Sequence, residues 1–271
     1  RMDYKSGHVA GLSLIDDNKK IMHLDRKTRT VVIRPIPFSQ EDISLLLSNY
    51  QVVAEGKEEI AGRLTDILKL IPIHYGNPSK KLWIDNETFM PLKREHYNSD
   101  GVLTTRSFYT KINYNAKIED SVFTIPKDWQ IVQPPEIIRK FSKKQISEIL
   151  GFDIIEPEYL PLGYVLDGFY RFHPPPPRHG RGVHIRYVDG LNSISVFEVL
   201  PPRLGRFMHR MHRRLRGRHG PRHNRKDKLP PDCKILGNRQ GKAIRITKDD
   251  FHIVVTGDIT EKELRKIANS F

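Results

Sequence analysis

Short strand-like segments separated by turn residues constrain what this 271-residue chain can fold into. Residues 30–33 form a β-branched run, a composition that favours a strand, and residues 8–15 and 19–25 carry apolar residues in strand-like patterns. Residues 16–18 and 25–27 between them have the length and polar composition of hairpin connections. This succession predicts an antiparallel meander in which neighbouring strands pair in chain order.

One amphipathic helix interrupts these strands. Ser39 is a suitable N-cap residue, and Ile43, Leu46 and Leu47 recur at helical spacing, so one face of the helix is apolar. The helix is predicted to end near Tyr50. We expect its apolar face to pack against the sheet, as in layered α+β domains.

Strands resume after the helix. The predicted strands cover residues 51–56, 60–72, 80–85, 91–97 and 102–113. Residues 98–101, Asn-Ser-Asp-Gly, give a strong turn signal, because glycine readily adopts a positive φ.

A proline-containing stretch, residues 126–137, is typical of a linker, and a second region of mixed structure follows it. We predict helices over 142–150 and 260–271, and strands over 164–172, 183–188, 193–200, 242–247 and 251–256. The four prolines at 174–177 favour a stiff polyproline II segment. The sequence thus predicts a first domain over 1–128, a linker over 129–141, and a small α+β domain over 142–271.

Composition argues against a membrane-spanning helix and against an intramolecular disulfide. No stretch approaches the roughly 20 apolar residues that a membrane-spanning helix needs. The single cysteine, Cys233, cannot form an intramolecular disulfide and fits either a cytoplasmic or a periplasmic protein. No leader is visible, and we expect one to have preceded this chain.

The net charge of +14 is concentrated in one segment. Residues 201–228 hold 11 Lys and Arg against one acidic residue, a net charge of +10. The rest of the chain is nearly neutral, so the high isoelectric point does not by itself indicate a nucleic-acid-binding fold.

The order and spacing of several segments resemble the MucB/RseB family. In the first domain the segments are Ala61-Gly62-Arg63, Leu82-Trp83-Ile84-Asp85 with Pro91-Leu92, and Ser121-Val122-Phe123. In the second they are Leu160-Pro161-Leu162-Gly163-Tyr164 and Tyr187-Val188-Asp189-Gly190-Leu191. The resemblance covers nearly the whole chain except residues 201–228, and its motifs are turns and strands rather than reactive groups.

The resemblance implies a LolA-like antiparallel half-barrel with a packed helix, followed by a small α+β domain. It also implies that the family's first helix and first strands precede Arg1. Proteins of this family are periplasmic, bind the periplasmic domain of an anti-sigma factor and protect it from proteolysis. LolA-like domains hold acyl chains of lipids or lipoproteins in an apolar concavity.

Two sets of residues are candidate binding sites. Ile43, Leu46 and Leu47, with Trp83 and Phe89, are candidates to line a lipid cavity, and plain core packing is the alternative interpretation. The second set would contact an anionic membrane surface, lipopolysaccharide or an acidic partner, and comprises Arg206, Arg210, Arg213, Arg214, Arg216 and Arg218. A solvated loop is the alternative for this basic segment.

No sequence motif indicates catalysis, and we expect no cofactor and no enzymatic activity. His209 and His212 have the spacing of a helical metal site, but the neighbouring arginines disfavour cation binding.

Three functional hypotheses remain open at this point. The first is an envelope-stress regulator that senses lipid or lipoprotein and binds an anti-sigma factor. The second is a lipid or lipoprotein carrier of the LolA type. The third is a polyanion-binding protein that acts through residues 201–228, with nucleic acid disfavoured because it conflicts with a periplasmic location.

Overall fold

The computed structural model describes residues 1–6, 9–17, 20–35, 43–132, 140–174, 180–202, 234–238 and 241–271. These residues form two compact units: unit 1 comprises Arg1–Gln40 with Ile112–Arg139, and unit 2 comprises Glu41–Lys111 with Lys140–Phe271. The boundaries of these units differ from the predicted linker over 129–141, and the predicted division into two domains stays a prediction.

Unit 1 is built on a five-stranded sheet in the order β1-β2-β3-β4-β10. Its strands are β1 (Met2–Asp3), β2 (Leu12–Asp16), β3 (Lys20–Asp25), β4 (Thr30–Pro35) and β10 (Gln130–Val132). All pairs are antiparallel except β4 with β10, which is parallel. Strand β10 lies within the predicted linker. A small core of Ile15, Met22, Leu24 and Val31 is covered by residues around a short 3-10 helix, Asp120–Phe123.

The first sheet of unit 2 is a five-stranded antiparallel meander preceded by a short helix. Its elements are α1 (Ile43–Asn49), β5 (Tyr50–Ile60), β6 (Arg63–Pro72), β7 (Ser79–Asp85), β8 (Pro91–Tyr97) and β9 (Leu103–Phe108). The predicted N-cap Ser39 lies outside the described residues. The helix ends at Asn49, directly before Tyr50, which confirms the predicted end of the helix near Tyr50.

The β5–β6 hairpin corrects the predicted strand bounds of 51–56 and 60–72. β5 continues to Ile60, because Gly56 forms a bulge with a φ of 122° rather than ending the strand. The turn is Ala61-Gly62, whose φ angles of 53° and 77° fit a two-residue hairpin loop. Alanine seldom adopts a positive φ, so the sequence did not indicate a turn there.

The second sheet of unit 2 has seven strands in the order β11-β12-β13-β14-β17-β16-β15. Its elements are β11 (Lys140–Phe141), α2 (Lys143–Leu150), β12 (Val165–Phe172), β13 (Arg181–Val188), β14 (Ser193–Leu200), β15 (Lys234–Asn238), β16 (Gly241–Lys248), β17 (Phe251–Gly257) and α3 (Glu261–Asn269). The predicted helices and strands of this region are confirmed, and β11 and β15 are additional strands. Every neighbouring pair is antiparallel.

Both helices of this region begin at capping residues, Ser142 and Thr260, which are the first residues of the predicted ranges 142–150 and 260–271. The Ser142 side chain accepts a hydrogen bond from Gln145 N, and the Gln145 side chain accepts one from Ser142 N, which makes a capping box. Thr260 accepts from Glu263 N at the start of α3. The helices bury Ile146, Leu150, Leu264 and Ile267, with Ala268, against the inward residues of the sheet.

The predicted α+β class is therefore confirmed, with mostly antiparallel sheets and few helices. Alternate residues of β13 and β14 point into one core, and Val183, Ile185, Ile194 and Val196 are fully buried there. Among the described residues, no helix combines the length and the apolar character needed to cross a membrane.

Candidate functional site

A buried polar junction joins the start of the meander to the seven-stranded sheet within unit 2. The Tyr50 hydroxyl donates to Asp189 Oδ2 at 2.6 Å, and Asn192 Nδ2 donates to the Tyr50 hydroxyl at 2.7 Å. Asn49 Nδ2 donates to the carbonyl oxygens of Gly163 and Asp189 at 2.9 and 3.0 Å. We call these five residues the buried junction.

The sequence around Asp189 explains why the junction forms. Asp189 Oδ1 accepts hydrogen bonds from the backbone amides of Leu191 and Asn192 at 2.8 and 2.6 Å, which fixes the β13–β14 turn as an Asx-type turn. The same carboxylate presents Oδ2 to Tyr50. One aspartate thus shapes the turn and binds a residue 139 positions away.

Two glycines allow the backbones to approach closely here. A Cβ on Gly190 would lie 2.5 Å from Leu46 N, and a Cβ on Gly163 would lie 2.5 Å from Asn49 Oδ1. Both glycines also have a φ near 90°, which side chains rarely tolerate. The segments Leu160–Tyr164 and Tyr187–Leu191, which carried the family resemblance, therefore meet Asn49 and Tyr50 at one place.

The electrostatics of the junction fit a structural role. Burial, followed by the hydrogen bond to Asp189, raises the pKa of the Tyr50 hydroxyl far above its usual range. Burial and the nearby Asp189 charge likewise raise the pKa of Tyr164. Both phenols therefore stay protonated, and Tyr50 remains a donor to the carboxylate at every physiological pH.

Further contacts around the junction connect the same two sheets. His96 Nε2 lies 2.7 Å from Asp258 Oδ2, Lys80 Nζ donates to Leu191 O at 3.1 Å, and Lys242 Nζ lies 3.0 Å from Asp100 Oδ2. Such partly exposed pairs contribute little individually, so the buried hydrogen bonds dominate the attachment.

Several exposed apolar residues lie close in the chain to residues of the junction or in loops bonded to them. Five large apolar side chains are mostly exposed there, and we call them the apolar rim: Ile43, Leu47, Ile73, Tyr75 and Leu162. Ile73 N donates to Asn49 O at 2.9 Å, and Asn77 Nδ2 donates to Leu162 O at 3.4 Å, which ties both loops to the junction. Exposed apolar side chains such as these are candidates for a binding surface.

The candidate lipid-cavity residues occupy three different settings. Ile43 and Leu47 lie one helical turn apart and are 68% and 58% exposed, whereas Leu46 is half-buried beside Gly190. Trp83 is buried within the meander, where its indole donates to Glu58 and Lys93 Nζ lies 3.9 Å from its ring centre. Phe89 is exposed in the β7–β8 turn at a φ of 58°.

The basic candidates, Arg206, Arg210, Arg213, Arg214, Arg216 and Arg218, lie outside the described residues, as do His209 and His212. Within the described part of the chain, no three or more His, Cys, Asp or Glu side chains are grouped so that they could hold a metal ion.

One histidine that sequence reasoning missed lies on the face of the seven-stranded sheet opposite the helices. His184 stacks on Phe197 with ring centres 4.5 Å apart, and its Nε2 lies 2.9 Å from Ser195 Oγ. Burial, reinforced by the charge of Arg186, lowers the pKa of His184 to about 4. Its strand position gave no signal beyond ordinary alternation with apolar neighbours.

Comparison with known proteins shows which family this chain resembles. Residues 12–126 match the model of the MucB/RseB N-terminal domain. The predicted resemblance to the MucB/RseB family is confirmed. A curated relative, the sigma factor AlgU regulatory protein MucB of Pseudomonas aeruginosa, is 28% identical over 162 residues, which cover 59% of this chain and 48% of the relative. The match therefore spans about half the length of that MucB protein.

Solved MucB structures share the fold. A crystal structure of MucB in complex with MucA(peri) covers 96% of this chain and 85% of its own, with a TM-score of 0.58 and 19% identity. The Pseudomonas aeruginosa MucA/MucB complex covers 95% and 85%, with a TM-score of 0.59 and 19% identity. The similarity thus extends past residue 126 into the seven-stranded sheet.

The buried junction can be tested with Tyr50→Phe. This change removes the donor to Asp189 and the acceptor for Asn192 in a buried site. We therefore expect the free energy of unfolding to fall by about 1–3 kcal/mol. Tyr75→Phe is the matched control, because Tyr75 is fully exposed. Urea unfolding of both variants is the measurement, and equal stabilities would contradict the structural role of the junction.

The depressed pKa of His184 predicts a loss of stability in acid. The folded state resists protonation of His184, so its contribution is complete above the ordinary pKa of 6.5 and disappears as the pH falls through about 4. His184→Phe should therefore flatten the fall in unfolding free energy between pH 7 and pH 4.5. His173→Gln, at an exposed position, is the control, and parallel pH profiles for His184→Phe and the wild type would refute the assignment.

Proposed function

We propose that this chain is a regulatory binding protein of the MucB type, whose partner is the periplasmic domain of an anti-sigma factor. The observation that supports this best is the family match over residues 12–126, together with the alignment to a sigma-factor regulatory protein. The second sheet supports it too, because the fold similarity to MucB in complex with MucA(peri) covers most of the chain. Such a partner implies a periplasmic location.

A binding role agrees with the chemistry of the described residues. The buried junction holds the Tyr50 phenol protonated and the Asp189 carboxylate hydrogen-bonded, so its groups are engaged in holding the two sheets together. The side chains of the apolar rim are exposed. Exposed apolar side chains on segments attached to the buried junction suit the recognition of another molecule.

The finer part of the proposal concerns lipid sensing. We propose that Ile43 and Leu47 on α1, with Leu46 behind them, contact acyl chains of lipid or lipoprotein. Their exposure on one helical face supports this, because acyl chains gain about 0.8 kcal/mol for each buried methylene. The setting of Trp83, enclosed by Glu58 and Lys93, favours packing within the meander over acyl contact.

The partner proposal is tested by pull-down with the periplasmic domain of the anti-sigma factor from the same organism. We expect a stable complex with the full chain and with a variant that lacks residues 201–228. If only the full chain binds, and the binding disappears at high salt, polyanion-type attraction through the ten net charges explains the interaction instead. If neither chain binds, the regulatory proposal is wrong.

The lipid proposal is tested separately by native mass spectrometry of the purified protein. We expect bound acyl species on the wild type and their loss in the double variant Ile43→Asp, Leu47→Asp. The reason is that acyl chains would remove water from the introduced carboxylates, which is unfavourable. Leu64→Asp is the control, since Leu64 is 54% exposed on β6, away from α1 in sequence. A wild-type spectrum without bound species, even after fatty acid is added, would exclude acyl binding while leaving partner binding open.

A further inference from the structure

One carboxyl group lies in the hydrophobic core of the seven-stranded sheet. Glu198 on β14 points to the same side as Ile194 and Val196, and it is 0% exposed. Its neighbours across the strands are Val183 on β13 and Ile253 on β17. A residue at this position is normally apolar, because an ionised carboxylate loses its hydration there.

The hydrogen bonds of Glu198 satisfy only half of its carboxyl group. Oε2 accepts from the backbone amide of Ile155 at 3.1 Å. Oε1 is buried and has no hydrogen-bond partner among the described residues. A buried carboxylate that stays ionised usually accepts two or three hydrogen bonds, so one backbone donor stabilises the anion poorly.

The charged groups around Glu198 do not neutralise it. From α2, Lys143 attracts the carboxylate, but its ammonium group is 2.7 Å from Glu156 Oε1 in the segment after α2. From β13, the Tyr187 hydroxyl is buried without a partner in the described structure, and burial raises its pKa beyond the physiological range. Arg181, at the start of β13, approaches Gly151 at the end of α2.

Among the described residues, the other packed elements bring no further charge to this carboxyl group. β17 contributes Ile253 opposite Glu198. On α3, Lys266 and Glu263 pair with each other, and the Tyr159 hydroxyl donates to Glu263 Oε2. Burial is therefore the dominant influence and raises the pKa of Glu198 to about 7, against the opposing pull of the Ile155 amide and Lys143.

We propose that Glu198 is a proton switch that controls how firmly the segment around Ile155, which follows α2, is held on the seven-stranded sheet. In the protonated form, the carboxyl group is neutral and its carbonyl oxygen keeps the Ile155 hydrogen bond without placing a charge in the core. In the ionised form, the anion needs solvent, and the segment that covers it is the part that can open. The inference rests on the fold alone and holds whatever the partner is.

The direction of the pH dependence follows from the raised pKa. The folded state binds the Glu198 proton more tightly than the unfolded chain does, so the stabilising contribution is complete below pH 4.5 and is lost as the pH rises through about 7. This is opposite to His184, whose contribution is lost in acid. The two groups occupy neighbouring rows of the β13–β14 ladder on opposite faces of the sheet.

The test compares the wild type with Glu198→Gln, an uncharged isostere of the protonated form, in the full chain. Between pH 5 and pH 8 the wild-type unfolding constant should rise by about 70-fold relative to that of the variant, as the pKa difference requires. The effects of His184 cancel in this ratio. Glu148→Gln, an exposed change on α2, is the control and should follow the wild type at both pH values.

A second measurement on the wild type keeps the inference testable if Glu198→Gln does not fold. Carbon-13 NMR of the Glu side-chain carboxyl groups should show one resonance with a midpoint near pH 7. Above that pH, the exchange rate of the Ile155 amide should rise more steeply than its intrinsic rate does. Parallel pH profiles for the wild type and Glu198→Gln, or ordinary midpoints for all Glu carboxyl groups, would overturn the proposal.

Discussion

The arrangement of the two sheets of unit 2 depends on the hydrogen bonds that the Asp189 carboxylate accepts. One oxygen closes the β13–β14 turn by accepting two backbone amides, and the other receives the Tyr50 hydroxyl. The bond from Tyr50 is buried and the two amide bonds are partly buried, so replacing Asp189 leaves these three donors without their acceptor in a medium of low polarity. The glycines beside this carboxylate have no room for side chains, so the turn, α1 and the loop at Gly163 are held in one arrangement. The exposed apolar rim owes its position to that arrangement.

Much of the fold was predictable from local patterns. The alternation along β14, the capping box at Ser142 and the cap at Thr260 depend on residues close in sequence, and all three are present. The hairpin at Ala61-Gly62 was missed because its positive φ angles fall on an alanine, and β10 was missed because a short parallel pairing leaves no periodic signal. Patterns of apolar residues report which face is buried and contain no information about the partner strand.

The site was predictable to a smaller extent. The segments Leu160–Tyr164 and Tyr187–Leu191 were singled out, but their meeting with Asn49 and Tyr50 depends on residues more than 100 positions apart. Apolar residues of α1 were expected to line a concavity, and the sequence could not distinguish Ile43 and Leu47, which are exposed, from Leu46, which is half-buried. The sequence did not predict the burial of Glu198 and His184, because a single polar residue in a strand gives the same pattern whether its face of the sheet is exposed or buried. The cationic segment over 201–228 was evident from charge alone, and its role remains a proposal.

The parallel pairing of β10 with β4 has a consequence for how unit 1 is completed. The register joins Gln130 to Thr30, 100 positions earlier in the chain, and the whole five-stranded meander lies in sequence between them. Closing so long a loop is entropically costly before its contacts form, so β10 is expected to join its sheet late, after the intervening strands have folded. During synthesis, the β-branched strand β4 would wait as an uncovered edge until the ribosome has delivered about a hundred further residues. Cutting the chain just before β10 would make that unprotected edge permanent, and a chaperone that shields extended apolar strands would then have a lasting target in unit 1.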